Sequence, residues 1–279
     1  MRQANTFAIV MLLATLPASA LDWNQADPAS QWKSLLAAPP AAAAVRPPSD
    51  GGASAGHFDS FVFSLEWTAA FCEGKPGLPE CANRSPDRFD AKNLALHGLW
   101  PDQAGDTSHS YGYCGVDSSV RALDRAATWC RMPALNLSNA TMSRLSTIMP
   151  GTASCLQNHE WYKHGTCSGL TPDEYFAQAS ALVTFVSGTN FGRYLSTHSG
   201  QTISANSLLE AFESDFGSGS RSLVRLTCTK AGGADLLLDV RLKLSQPLRP
   251  AAELGKMLLS GGGAGNCPAS FKLDELPAR

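Results

Sequence analysis

Eight cysteines, an even number, constrain this chain more than any other feature: Cys72, Cys81, Cys114, Cys130, Cys155, Cys167, Cys228 and Cys267. Whether they act as thiols or as staples depends on the compartment, and the N-terminus decides that. Arg2 supplies a positive start, Phe7 to Leu16 an apolar run, and Ala18-Ser19-Ala20 a small-x-small cleavage site, so residues 1–20 read as a secretory signal peptide. That run is too short to span a bilayer, and no later stretch approaches the roughly 18 apolar residues a crossing needs. A periplasmic or secreted chain with paired cysteines reads as a disulfide framework with no nucleophilic thiol. Eight cysteines permit on the order of a hundred pairings. Local proximity favours Cys72 with Cys81 and Cys228 with Cys267.

Residues 21–56 are rich in Ala, Pro and Gly and read as a flexible leader outside the fold. The folded domain is expected over 57–279, an ordinary size for a single domain. Within it, Phe61, Phe63, Leu65 and Trp67 alternate with Val62, Ser64 and Glu66, which predicts a strand. A second strand sets Leu94 and Leu96 against Ala95, His97 and Leu99, so His97 projects from a sheet. Ser222–Lys230 and Ala234–Leu244 form a hairpin about Ala231-Gly232-Gly233, with Leu236, Leu238, Val240 and Leu242 on one face. Thr171-Pro172-Asp173-Glu174 is a capping box with proline at the first helical position, opening a helix to about Val186. Ser204 to Phe216 is a further helix, closed by Gly217. Shorter helical patterns cover 118–128, 139–148, 155–164 and 250–260. Strands at both ends with helices between predict an α+β fold: a mostly antiparallel central β-sheet with flanking helices, stapled by disulfides into one domain.

The formal charge is −2, and loss of Arg2 with the signal peptide removes one positive charge more. This is no nucleic-acid-coating protein; a polyanionic substrate would have to be held by local charge rather than a broad positive field.

Local chemistry is concentrated in two segments, Leu96-His-Gly-Leu-Trp-Pro-Asp102 and His159-Glu-Trp-Tyr-Lys-His-Gly-Thr-Cys167, which hold three of the six histidines. Two imidazoles are the minimal equipment for acid–base catalysis near neutrality. If 159–164 is α-helical, at about 100° per residue, His159, Lys163, Glu160 and His164 share one arc while Trp161 and Tyr162 face a core. Glu160 and His164 then form an i,i+4 pair in which the carboxylate could orient or tune the imidazole. His57, His109 and His198 read as ordinary surface histidines. A zinc site after the H-E-x-x-H pattern fails on spacing, since His159 and His164 are five apart and some 140° of arc separates them; no metal or other cofactor is expected. A base, an acid and nearby cationic charge, without a metal or a protein nucleophile, suit attack of an RNA 2′-hydroxyl on its own phosphate. Phosphomonoester hydrolysis through a histidine nucleophile is the competing chemistry.

Leu96-His-Gly-Leu-Trp-Pro101 and Glu160-Trp-Tyr-Lys-His-Gly-Thr-Cys167 resemble the two active-site signatures of the ribonuclease T2 family, and the wider likeness runs from Phe61 to the C-terminal cysteines. His159 before Glu160, and Tyr111-Gly-Tyr-Cys-Gly115, are similar to bacterial periplasmic members. The resemblance implies a metal-independent endoribonuclease of low base specificity acting on single-stranded RNA and not DNA, with no membrane attachment and a monomeric state. It implies His164 as base, His97 as acid, and Lys163, Glu160 and His159 around the phosphate. It places Trp100 and Asp102 at the base on the 5′ side of the cut, and Tyr111 or Tyr113 as a stacking partner. It implies the disulfides Cys114–Cys167, Cys72–Cys81 and Cys228–Cys267, with Cys130–Cys155 as the pair remaining. The alternative is a catalytically inactive RNA- or partner-binding protein on the same fold.

Overall fold

In the computed structural model, residues 55–82, 85–103, 111–261 and 265–276 are described. The expected signal peptide, all but the last two residues of the expected leader, and His109 lie outside them. Residues 55 onward belong to one compact unit.

Seven strands among the described residues form one sheet: β1 Ser60–Glu66, β2 Ala95–Asp102, β3 Thr202–Ser204, β4 Val224–Ala231, β5 Ala234–Ser245, β6 Leu258–Leu259 and β7 Ser270–Lys272. The long strands are antiparallel neighbours: β5 pairs with β1 on one side and β4 on the other, and β2 edges β1. Only β5 and β7 run parallel among these pairings. Five longer helices and one short one bear on the site and its support: α1 Thr68–Gly74, α2 Asn139–Ile148, the four-residue α3 Leu156–His159, α4 Pro172–Gly188, α5 Asn190–Thr197 and α6 Ala205–Phe216. The result is the expected α+β architecture.

Alternation assigns the sheet faces. Phe61, Phe63 and Leu65 of β1, Leu96 and Leu99 of β2, and Val240, Leu242 and Leu244 of β5 are buried. They pack with Trp67, Tyr175, Phe176 and Leu182 into the apolar core, where each large side chain is worth roughly 1.5–3 kcal/mol of transfer free energy. The opposite face carries Val62, Ser64 and Glu66 across from Lys243, Arg241 and Asp239. The hairpin expectation misplaced two residues: the register of β4 against β5 shifts between Thr227 and Cys228, leaving Leu238 without a partner on β4, so Leu237 joins Val240 and Leu242 on one face while Leu236 pairs with Thr229 on the other.

A similar irregularity positions the site. Ser64 pairs with Gly98 but Leu65 pairs with Leu96, which makes His97 the extra residue of a β-bulge. Without it, period-2 alternation would set His97 on the face opposite Trp100 and Asp102. With it, all three share one face, while Leu96 and Leu99 both stay in the core. Tyr175 of α4 pins the strand just beyond the bulge, donating its hydroxyl to the Leu99 carbonyl at 2.6 Å and accepting the Leu99 N–H at 3.3 Å. α4 begins with the anticipated capping box, Thr171 and Glu174 each bonding the other's backbone amide.

Four disulfides, Cys72–Cys81, Cys114–Cys167, Cys130–Cys155 and Cys228–Cys267, take up all eight cysteines. No helix among the described residues is long and apolar enough to cross a membrane.

Candidate active site

The second motif does not continue as the α-helix that its spacing predicts. α3 ends at His159, and Glu160–His164 forms a π turn. In a π turn the backbone closes on the fifth residue, which brings residues five apart to one side. The rings of His159 and His164 accordingly meet edge to face with centroids 5.8 Å apart. This overturns the spacing argument against a shared ion: donor atoms of His159, Glu160 and His164 lie within 4.8 Å of one another. Trp161 packs edge-on against core Tyr175, whereas Tyr162 turns away and donates its hydroxyl to the Pro133 carbonyl.

The two motifs face each other across a cleft of about 340 Å³ lined by His97, Trp100, Asp102, His159, Lys163 and His164, together with Val62, Pro101, Tyr111 and Arg241. Six of the seven expected functional side chains thus border one space. Glu160, the seventh, is wholly buried beneath it.

Glu160 connects the motifs. Its Oε2 accepts the Trp100 indole N–H at 2.7 Å. Its Oε1 lacks a hydrogen-bond partner and lies 3.8 Å from His97 Nε2 and 3.9 Å from His159 Nε2. The carboxylate is therefore aimed at His97 and His159 rather than paired with His164 as helical spacing predicts. Only a glycine at position 98 permits this approach: a methyl carbon there would sit 2.0 Å from Glu160 Oε2 and 2.2 Å from Trp100 Nε1.

Trp100 touches both imidazoles. Its ring lies 5.3 Å from that of His97, edge to face, and 5.3 Å from that of His164, tilted by 31°. The imidazoles can therefore be no further apart than twice that spacing. The Arg241 guanidinium caps the same indole at 5.3 Å. Asp102 is ion-paired to Lys243 at 3.2 Å. Of the two candidate tyrosines, Tyr111 borders the cleft, while the Tyr113 hydroxyl is committed to Asp124.

Burial and crowded positive charge set the electrostatics. His97 is lowered to about 4, first by burial and then by Arg241, His159 and Lys163. Burial, with Lys163, His159 and His97, also holds His164 well below the ordinary imidazole range. Burial drives Glu160 the other way, to about 7, partly offset by His159, the Trp100 hydrogen bond and Lys163. Glu66, with Oε2 3.9 Å from His97 Nδ1, is raised to about 8 by burial and by Glu80, Asp239 and Asp90. Two imidazoles, His97 and His164, that gain a proton only in more acidic solution than usual, a carboxyl near its midpoint and the cations Lys163 and Arg241 form a site suited to proton transfer at an anionic ligand.

Sequence reasoning missed Arg241, Glu66 and Asp124. The first two were legible as polar positions alternating with the core residues of β5 and β1. Asp124 lies within the helical pattern over 118–128, which gives it no role; the helix there ends at Arg121, before it.

The profile of the Ribonuclease T2 family matches residues 58–251. Ribonuclease I of Escherichia coli K12 is 29% identical over 240 residues, covering 79% of this chain and 87% of that protein. Ribonuclease 3 of Arabidopsis thaliana is 33% identical over 129 residues, covering 43% of this chain and 49% of that protein. Among solved structures, ribonuclease MC1 from bitter gourd seeds superposes with a TM-score of 0.50 at 22% identity, covering 77% of this chain and 100% of that one. At that identity the likeness speaks for the fold alone.

Proposed function

The chain belongs to the ribonuclease T2 family, and from that premise we propose that it is an exported, metal-independent endoribonuclease cleaving single-stranded RNA with low base specificity. One observation carries the mechanism: the imidazoles of both motifs border a single cleft, each with its ring centroid 5.3 Å from one indole.

In the first step, neutral His164 removes the proton from a ribose 2′-hydroxyl. The 2′-oxygen attacks the adjacent phosphorus, the P–O5′ bond breaks, and protonated His97 delivers its proton to the departing 5′-oxygen. Lys163 and His159 offset the charge on the pentacoordinate phosphorane, and Glu160, aimed from beneath the cleft at His97 and His159, supports the two imidazoles that meet the phosphate. The products are a 2′,3′-cyclic phosphate and a 5′-hydroxyl. In the second step the roles reverse: His97, now neutral, activates water, and His164 returns its proton to the 2′-oxygen, leaving a 3′-phosphate. The nucleophile belongs to the substrate, so DNA, which lacks the 2′-hydroxyl, is not cut. Trp100 and Asp102 are the candidates for contact with the base on the 5′ side, and Tyr111, by its position in the cleft, for stacking upon a base. Lys163 and Arg241 supply the local charge that an overall acidic chain needs to hold a polyanion.

The test is incubation of purified protein with RNA and with single-stranded DNA in excess EDTA, followed by analysis of the ends. RNA fragments with 2′,3′-cyclic termini and intact DNA are expected. DNA cleavage, or loss of activity in EDTA, would refute the proposal.

A further inference from the structure

Asp124 belongs to neither motif, yet it is the most densely bonded carboxylate beside the cleft. Its side chain is only 3% exposed. Oδ1 lies 2.6 Å from His159 Nδ1 and accepts the Trp129 indole N–H at 2.8 Å. Oδ2 accepts the Tyr113 hydroxyl. The Trp129 ring also stacks on the His159 imidazole, with centroids 4.8 Å apart and planes 30° apart. The segment supplying these groups is anchored at both ends of the second motif. Cys130, next to Trp129, is bonded to Cys155 just before α3, and Cys114, next to Tyr113, is bonded to Cys167 just after the π turn. The Tyr113 amide donates to the Lys163 carbonyl at 2.8 Å, tying the brace to the π turn itself.

We propose that Asp124 is a positioning residue that fixes the proton of His159 on Nδ1 and leaves Nε2 as the only nitrogen available to a substrate phosphate. The chemistry of the partners requires it. An ionised carboxylate only accepts hydrogen bonds, and the Tyr113 hydroxyl and the indole of Trp129 both donate, so the third contact needs a hydrogen on His159 Nδ1. The hydrogen bonds from His159, Tyr113 and Trp129 outweigh the effect of burial and hold the Asp124 carboxyl below its usual range, so it keeps its charge at the pH of turnover. With Nδ1 occupied and one ring face covered by Trp129, the imidazole cannot flip; whenever it carries its second proton, Nε2–H is presented to the phosphate. An asparagine would preserve the volume but lose the charge, and could offer an N–H against a donor.

The inference rests on His159 contacting phosphate, and its test separates the two claims. In turnover of a dinucleoside monophosphate, Asp124→Asn should lower kcat/KM by about 10- to 100-fold, the range commanded by a charge-assisted hydrogen bond. In a His159→Gln background the same change should alter kcat/KM by less than about twofold, because a residue acting through His159 has nothing left to act upon. Losses that multiply in the double variant, or no loss in Asp124→Asn alone, would overturn the proposal. Nitrogen-15 NMR of the unsubstituted protein decides independently of turnover and of whether the variant folds: His159 should carry its ring proton on Nδ1, and an Nε2–H tautomer would overturn the proposal. A protein that cleaves no RNA yet shows the Nδ1–H tautomer would refute the nuclease reading and leave the positioning role standing.

Discussion

Replacing Glu160 with Gln should make the protein more stable and less active. Glu160 is entirely buried, and one of its oxygens has no hydrogen-bond partner. Folding raises its pKa from 4.5 to about 7, with burial as the leading cause. A carboxyl raised in this way keeps its proton in the folded state over an interval where the unfolded chain has released it. Stability therefore declines as pH climbs from about 4.5 to about 7 and stays low above that. At about 1.36 kcal/mol per unit, the ionised form costs up to roughly 3 kcal/mol in alkaline solution. Glutamine is nearly isosteric, retains the acceptor for the Trp100 indole and carries no charge. The variant should thus exceed the parent by about 1–3 kcal/mol at about pH 8 and match it at about pH 4. Urea titration with disulfides intact measures this directly: at a slope of about 2 kcal/mol per molar, the midpoint should rise by about 0.5–1.5 M at the higher pH only. Turnover should fall by about 10-fold or more, since the buried carboxyl no longer supports His97 and His159 from beneath. A variant destabilised equally at both pH values would refute the reasoning.

Three further outcomes follow from the same geometry. Gly98→Ala should abolish turnover, because its methyl group would overlap both partners of the Glu160–Trp100 hydrogen bond; wild-type rates in this variant would contradict the inferred contact. The kcat/KM profile should be bell-shaped with both limbs below 6.5: the acid limb marks protonation of His164 and the alkaline limb loss of the His97 proton, and both groups are held low by burial and neighbouring cations. A maximum above 7 in initial-rate measurements would show those depressions to be wrong. Tyr175→Phe should cost about 1–3 kcal/mol in thermal or urea unfolding, since it leaves Leu99 backbone groups unpaired beside the bulge; an unchanged midpoint would count against that anchoring role.

What could be read from the sequence is what depends on residue type and short-range period. The capping box at Thr171, the helix stop at Gly217, the Gly232-Gly233 hairpin and the apolar face of β1 all follow from local rules, and they appear in the fold. The two motifs could likewise be seen to hold the reactive groups. Hidden were the departures from regularity that bring those groups together. Alternation along β2 cannot show that His97 is an extra residue, because the bulge exists only in the pairing with β1. A helical wheel at 100° cannot show a π turn, which here serves to place His159 beside His164. Asp124 was invisible because the partner that gives it a role, His159, lies 35 residues away and is brought to it only by the disulfide-linked fold. α1 and α5, only seven and eight residues long, also escaped a reading by pattern.

The central claim is that His97 and His164 divide acid and base duties at one phosphodiester. It is tested most directly by varying the leaving group. His97→Phe should lose about 100- to 10,000-fold on a dinucleoside monophosphate, whose 5′-oxygen must be protonated to depart. It should recover most of that loss on a uridine 3′-(4-nitrophenyl phosphate), whose phenolate leaves without help, whereas His164→Phe should be crippled on both. Equal losses for the two variants on both substrates would contradict the account.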